Sequence, residues 1–259
     1  MFEIFDAPFD ASFEELLPLI LIGFLAQLVD GALGMAFGAI ATTLLVGFLG
    51  VPPAQASFRI HLIKSLTTAV SGISHAIGGN IDKRLFLRVV IPGILGGALG
   101  AYGLSRVDGE AIKPFVFAYL AGIGLILVFK GLRSKSKPRV PKAITPLGFA
   151  GGLLDAVGGG GWGPVVSSGL MLQGSEPRKV VGSVNSVEFF VTIAISGAFI
   201  SQFGIAQVTG AALGLLIGGV LAAPFGAVAA RYLPAKIMLL LVGSVLIATT
   251  GYWLLDSLA

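Results

Sequence analysis

The chain has 259 residues, of which 55% are hydrophobic and only 12% charged, with a net charge of +4 and no cysteine; its mean hydropathy is +0.95. A soluble domain carries about 25% charged residues, so this composition excludes a water-soluble globule, and the missing cysteines exclude disulfides and thiolate metal sites. Most basic residues stand singly between apolar runs, and the densest group is one short stretch over residues 133–142, a pattern of cationic loops at a membrane surface that excludes a nucleic-acid interface.

The start is acidic (Glu3, Asp6, Asp10, Glu14, Glu15) and lacks the basic stretch of a cleavable signal peptide. It is read as lying near the mature N-terminus. The first predicted element is a long apolar segment over residues 16–50, softened at 30–38 by Asp30-Gly-Ala-Leu-Gly-Met-Ala-Phe-Gly38. Ordinary spans are predicted over 54–78, 85–104 and 111–132, followed by the basic linker 133–143. A second broken segment covers 144–173, interrupted by Asp155-Ala-Val-Gly-Gly-Gly-Gly-Trp-Gly-Pro164, and spans follow over 178–202, 208–231 and 235–255.

The two halves are copies of one unit at an offset of about 125 residues. Gly23, Phe24, Asp30, Gly34, Phe37 and Gly38 fall on Gly148, Phe149, Asp155, Gly159, Trp162 and Gly163. At nearly the same offset Pro53 falls on Pro177, His61 on Asn185, Lys64 on Glu188 and Thr68 on Thr192. The fold class is therefore an all-α polytopic membrane protein in a single domain, with repeat one over 16–132 and repeat two over 144–257.

Charge assigns the topology. If each broken segment is a re-entrant hairpin, each repeat crosses three times and the two are inverted. Lys83, Arg84, Arg88, the linker, Arg178, Lys179, Arg231 and Lys236 then all lie inside, as the positive-inside rule asks. Full crossing by the broken segments puts Arg178, Lys179, Arg231 and Lys236 outside. The halves over 16–30 and 36–50 are about 22 Å each as helix, short of a hydrocarbon core of about 30 Å.

Four consecutive glycines make poor helix, at about 1 kcal/mol each relative to alanine. Paired breaks at corresponding places in two repeats point to a transporter's binding site, and amides at a half-helix start can receive an anion. Gly96, Gly97, Gly218 and Gly219 are read instead as close-packing spacers. On the helix over 54–78, His61, Lys64, Thr68, Ser71 and His75 share one face, with Arg59 nearer the membrane edge; Asn185, Glu188, Thr192 and Ser196 repeat the stripe in the second copy. Intramembrane charge is costly and faces a partner or a cavity. Two readings stand side by side: a structural Lys64–Glu188 bridge, or a cationic Arg59/His61/Lys64 surface that receives an anion. Asp30 and Asp155 are either caps of the half-helices after them or protonatable coupling groups. His61 and His75 are candidate proton carriers. No HExxH, GxSxG or GxxxxGK[ST] motif occurs, so neither an enzyme nor ATP-driven transport is expected.

The duplicated Gly-Phe…Asp…Gly-rich segment, the Val-Pro-Pro-Ala-Gln-Ala helix start, and the second-copy elements Gly-Gly-Gly-Gly-Trp-Gly-Pro and Val-Val-Gly-Ser-Val-Asn-Ser-Val-Glu together resemble the TauE/SafE sulfite-exporter family of bacterial transporters. The resemblance covers nearly the whole chain after residue 16. It implies a secondary transporter, an exporter with a proton-coupled option, for small sulfur-containing anions such as sulfite or organosulfonates, in the bacterial inner membrane. An anion channel of the same substrate class is the alternative. In this reading Gly34, Gly38, Gly159, Gly160, Trp162 and Gly163 cradle the anion. Arg59, His61 and Lys64 supply charge, and Asn185 and Ser186 fix orientation. Asp30, His75, Asp155 and Glu188 are coupling or structural groups. The first break carries Met35 and Ala36 where the second carries glycines. The expected partners are the lipid bilayer and the anion, with a homodimer left open, and no cofactor or metal is expected.

Overall fold

The computed structural model describes residues 13–48, 50–132, 141–173, 175–204 and 210–232, and beyond these residues 236–237, 240, 243–244, 246–248 and 251. Most of the basic linker and most of the span expected over 235–255 lie outside the described residues. The elements are α1 (Phe13–Leu33), α2 (Phe37–Thr42) running into a π-helical turn (Thr43–Phe48), α3 (Pro53–Ile77), α4 (Lys83–Leu104) and α5 (Gly109–Leu132). Then come α6 (Ile144–Gly158), a π-helical turn (Gly163–Ser167), α7 (Ser168–Leu172), α8 (Pro177–Phe203) and α9 (Gly210–Tyr232). The chain is all-α, as the composition predicts.

Local chemistry accounts for several of these boundaries. Pro53 and Pro177 open α3 and α8 from the first turn, where a missing N–H costs nothing. Asp82 caps α4 by accepting from the Arg84 and Leu85 amides. Five helical stretches among the described residues are long and apolar enough to cross a membrane. They lie within α1, α4, α5, α8 and α9. The 25-residue α3 is not among them, because the polar stripe dilutes its apolar character.

The pattern of exposure is inverted relative to a soluble protein. Leu87, Ile91, Leu95 and Leu99 form a ridge along α4 at 55–67% exposure, while Lys64, Asp155 and Glu188 are at most 2% exposed. Apolar residues outside and ionisable ones inside are what a lipid solvent selects.

Helix packing crosses between the halves. α1 runs parallel to α9, with Gly214 against Leu19, Gly218 against Ile20 and Gly226 against Gly31. α4 runs parallel to α6, with Gly148 against Val89, Gly152 against Gly93 and Gly100 against Leu153. Backbones approach so closely here that a Cβ on Gly96 would stand 2.1 Å from the Phe149 carbonyl oxygen, and one on Gly218 1.9 Å from that of Ile20. α3 and α8 form the central pair and run antiparallel. Phe58 packs at a tilt against Phe199, Ser65 meets Ser196 and Ser71 meets Asn185. At the far end of the pair Arg178 donates to Asn80.

The second broken segment doubles back on itself. After α6 the chain returns alongside it. Gly151 faces Val166, Gly169 faces Leu147, and the Gln173 side chain accepts from the Lys142 and Ala143 amides at the hairpin's mouth.

Candidate functional site

The two hairpin tips meet in the interior with matching geometry at the repeat offset. Gly34 N–H donates to the Asp30 carbonyl at 2.6 Å, and Gly159 N–H to the Asp155 carbonyl at 2.6 Å. Both glycines take left-handed backbone, at φ 68° and 67°, which ends each first limb. The Asp30 carboxylate then accepts from Phe37 N–H at 3.2 Å, and that of Asp155 from Trp162 N–H at 3.1 Å. Each aspartate thus bridges its own break and caps the returning limb. The capping role expected for these residues is present, spanning seven residues rather than the usual two or three.

The tips also interlock with each other. Thr42 donates its hydroxyl proton to the Gly158 carbonyl at 2.9 Å, and Ser167 donates to the Gly34 carbonyl at 3.1 Å. A Cβ on Gly38 would lie 1.7 Å from the Gly159 oxygen, and one on Gly163 2.0 Å from the Gly34 oxygen. Gly160 likewise backs onto Ala39. Five glycines of the sequence-predicted cradle (Gly34, Gly38, Gly159, Gly160 and Gly163) therefore sit at one contact. Trp162 is fully buried, and its indole donates to the Val184 carbonyl at 3.1 Å, so it anchors the second break to α8.

Beside this contact lies a buried ionic cluster. Lys64 Nζ is 2.6 Å from Glu188 Oε1 and 3.3 Å from Asp155 Oδ1. His61 Nε2 is 3.1 Å from Asp155 Oδ2, while its Nδ1 lies 2.7 Å from the Ser57 carbonyl. Ser57 donates in turn to the Ala156 carbonyl at 2.5 Å. Of the two readings of Lys64, the bridge to Glu188 is made, and Asp155 joins it. His61 and Lys64 present no open cationic face here, since both point at carboxylates. Asp30 Oδ2 and Glu188 Oε2 are buried and hydrogen-bond nothing among the described residues.

The remaining predicted residues sit around this centre. Asn185 accepts from Ser71 and donates to the Val181 carbonyl, and its amide nitrogen lies beside Gly34. Ser186 is turned back to the Gly182 carbonyl and packs near Gly72. His75 lies toward the end of α3, bonded to the Gly31 carbonyl at 3.0 Å and to Asn80 at 2.9 Å. Arg59 is half-buried toward the start of α3. Reading the sequence missed Thr42, Ser57, Ser167, Gln27 and Tyr119. Thr42 and Ser167 stand at the repeat offset and were in principle legible. Gln27 is fully buried, and both its amide atoms are unpartnered among the described residues.

Comparison with known proteins places the chain in a family. The model of the sulfite exporter TauE/SafE family matches residues 19–253. The chain belongs to the TauE/SafE family. A relative, the probable membrane transporter protein YtnM of Bacillus subtilis (strain 168), is 38% identical over 252 residues, covering 94% of this chain and 84% of the relative. No solved structure matches. This TauE/SafE protein is a multi-pass membrane transporter.

Proposed function

We propose that the protein is a secondary transporter of small anions such as sulfite or organosulfonates, working as an exporter in the bacterial inner membrane. In this proposal the two halves are inverted repeats that rock about the interlocked tips. The observation that carries it is the meeting of two matched, broken hairpins deep in the protein beside a buried Lys64–Glu188–Asp155–His61 cluster. Broken segments at corresponding positions of two repeats are where such transporters bind their cargo.

The antiparallel course of α3 and α8 supports the inversion, because equivalent helices of inverted repeats cross the membrane in opposite senses. So does the contact between the α3–α4 turn and the start of α8, where Lys179 donates to the Gly79 carbonyl at 2.8 Å. That contact brings the two basic ends together, which supports re-entrant hairpins. One amide of each returning limb is occupied by an aspartate, so an anion at the tips would compete with Asp30 or Asp155 for it. Protonation of the displaced carboxylate would couple anion movement to protons.

Purified protein in proteoliposomes tests this. Counterflow of labelled sulfite or taurine should saturate and accelerate under an imposed proton gradient. Flux that never saturates would make the protein a channel, and no flux with any sulfur anion would overturn the substrate class.

A further inference from the structure

We propose that His75, Asn80 and Arg178 form a latch that holds one end of the molecule shut while His75 is neutral and releases it when His75 takes up a proton. The latch stands on its own geometry. Only its place in a transport cycle rests on the rocking repeats proposed above.

The chain of hydrogen bonds fixes where its protons sit. Arg178 has only donors, and its Nε donates to Asn80 Oδ1 at 2.5 Å. The Asn80 amide is thereby oriented, with its Nδ2 at 2.9 Å from His75 Nδ1. An amide nitrogen only donates, so Nδ1 offers a lone pair and the ring proton is on Nε2. Nε2 donates in turn to the Gly31 carbonyl at 3.0 Å. A second proton on the ring would set N–H against N–H. Turning the Asn80 amide over only moves that conflict to Arg178. The chain therefore closes on a neutral imidazole. In the last turn of α3 the helix dipole favours a cationic ring once Asn80 has moved away, so the proton and the closed latch exclude each other.

This chain ties three elements together. Gly31 lies in α1 just ahead of the first break, Asn80 in the α3–α4 turn and Arg178 in the first turn of α8. His75 and Asn80 are fully buried. α8 packs here so closely that a Cβ on Gly182 would stand 2.4 Å from the Asn80 carbonyl oxygen. Water cannot make good a lost bond at that depth unless α8 moves off. The bonds from Arg178 to Gly78 and from Lys179 to Gly79 lie at the exposed rim, where water competes for them. The buried Asn80 is thus the deciding tie. Neighbouring ionisable groups are turned elsewhere. Asp30, beside Gly31, accepts from Phe37 N–H, His61 and Lys64 face Asp155, and Asp82 caps α4. α9 packs along α3 and carries no ionisable side chain before Arg231.

The second repeat lacks this device. Phe199 stands at the repeat offset from His75, and it packs with Phe58 and Phe203 at the other end of the α3–α8 pair. Acid therefore acts on one end of the molecule alone.

The test uses the full chain in nanodiscs with spin labels on Lys83→Cys and Glu176→Cys, two exposed positions on either side of the latch in a chain without other cysteines. Between about pH 8 and about pH 5, the label–label distance from double electron–electron resonance should shift reversibly to a longer population. The ratio of long to short should rise by up to about tenfold per pH unit, as one linked proton requires. His75→Gln keeps an acceptor and a donor but takes no proton, and should hold the short distance throughout. Asn80→Asp sets a carboxylate against the ring, so it should stay short in acid, where the parent opens. It decides the matter should His75→Gln fail to fold. A parent distance that ignores pH, or a parent-like response in either variant, would overturn the latch. So would a separation accompanied by lost helicity, which is acid unfolding. No substrate enters the measurement, so its failure leaves anion transport standing and failed flux leaves the latch.

Discussion

Lys64 is held by two carboxylates at once, so the effect of removing it depends on what remains. Lys64→Gln leaves Asp155 with His61 and the Trp162 amide, but takes from Glu188 the ion partner it has at 2.6 Å. An uncompensated buried charge costs about 3–5 kcal/mol. The single variant should therefore melt markedly earlier in detergent, and Lys64→Gln with Glu188→Gln should recover most of the loss. A Lys64→Gln protein of unchanged melting temperature that has lost substrate binding would return the lysine to the anion path. Ala36 offers a second test. It holds φ 127°, a conformation L side chains rarely adopt, at the position equivalent to Gly161. Such strain costs of order 1–3 kcal/mol, so Ala36→Gly should raise the melting temperature. Gly161→Ala should lower it, because the new methyl meets the Tyr119 hydroxyl and the Asp155 amide. An Ala36→Gly protein that melts earlier would show that the alanine methyl, not backbone strain, governs this corner.

The hairpins are the elements on which the halves depend. Gly38→Ala and Gly163→Ala each drive a methyl into a carbonyl of the other hairpin, where the obstacle is backbone and cannot rotate away. Both should yield little folded protein by size-exclusion chromatography, whereas Gly103→Ala and Gly197→Ala, which meet nothing within 4 Å, should behave as wild type. Equal yields across the four would refute the interlock. Gly218 is no neutral control for such a series, since its Cβ would strike the Ile20 carbonyl. Helix existence and the two breaks were legible in the sequence, because apolar runs, proline starts and glycine clusters are local signals. α3 was expected over 54–78 and runs Pro53–Ile77. The Lys64–Glu188 pairing was legible as an alternative, since each charge needs a counter-charge in lipid. The bond from Asp155 to His61 and Lys64 was not, because it depends on how α6 rotates against α3 over more than 90 residues of sequence. Tyr119 was invisible for the same reason. A lone tyrosine in an apolar span carries no sign of the glycines it will pack on.

For the whole molecule the question is which ends share a face. The cysteine-free chain permits single-cysteine labelling without background. Lys83→Cys and Lys179→Cys should be shielded from a membrane-impermeant maleimide on intact cells, and Arg106→Cys and Gln202→Cys should react. Labelling of Lys83 and Lys179 from opposite faces would mean that the broken segments cross completely and that the repeats are not inverted.

During synthesis the two hairpin tips are made at different times. Gly34 emerges 133 residues ahead of Ser167, whose hydroxyl satisfies its carbonyl. At about 5–20 residues per second the ribosome needs roughly 7–27 s to close that gap. Over that interval the leading tip has an uncapped oxygen, and lipid penalises each such group by several kcal/mol. The first hairpin is thus unsuited to settle into the bilayer when it is made, and it waits at the interface or in the insertion machinery until the second arrives. Truncated nascent chains arrested before residue 158 should accordingly leave residues 34–38 open to aqueous reagents that the finished protein excludes.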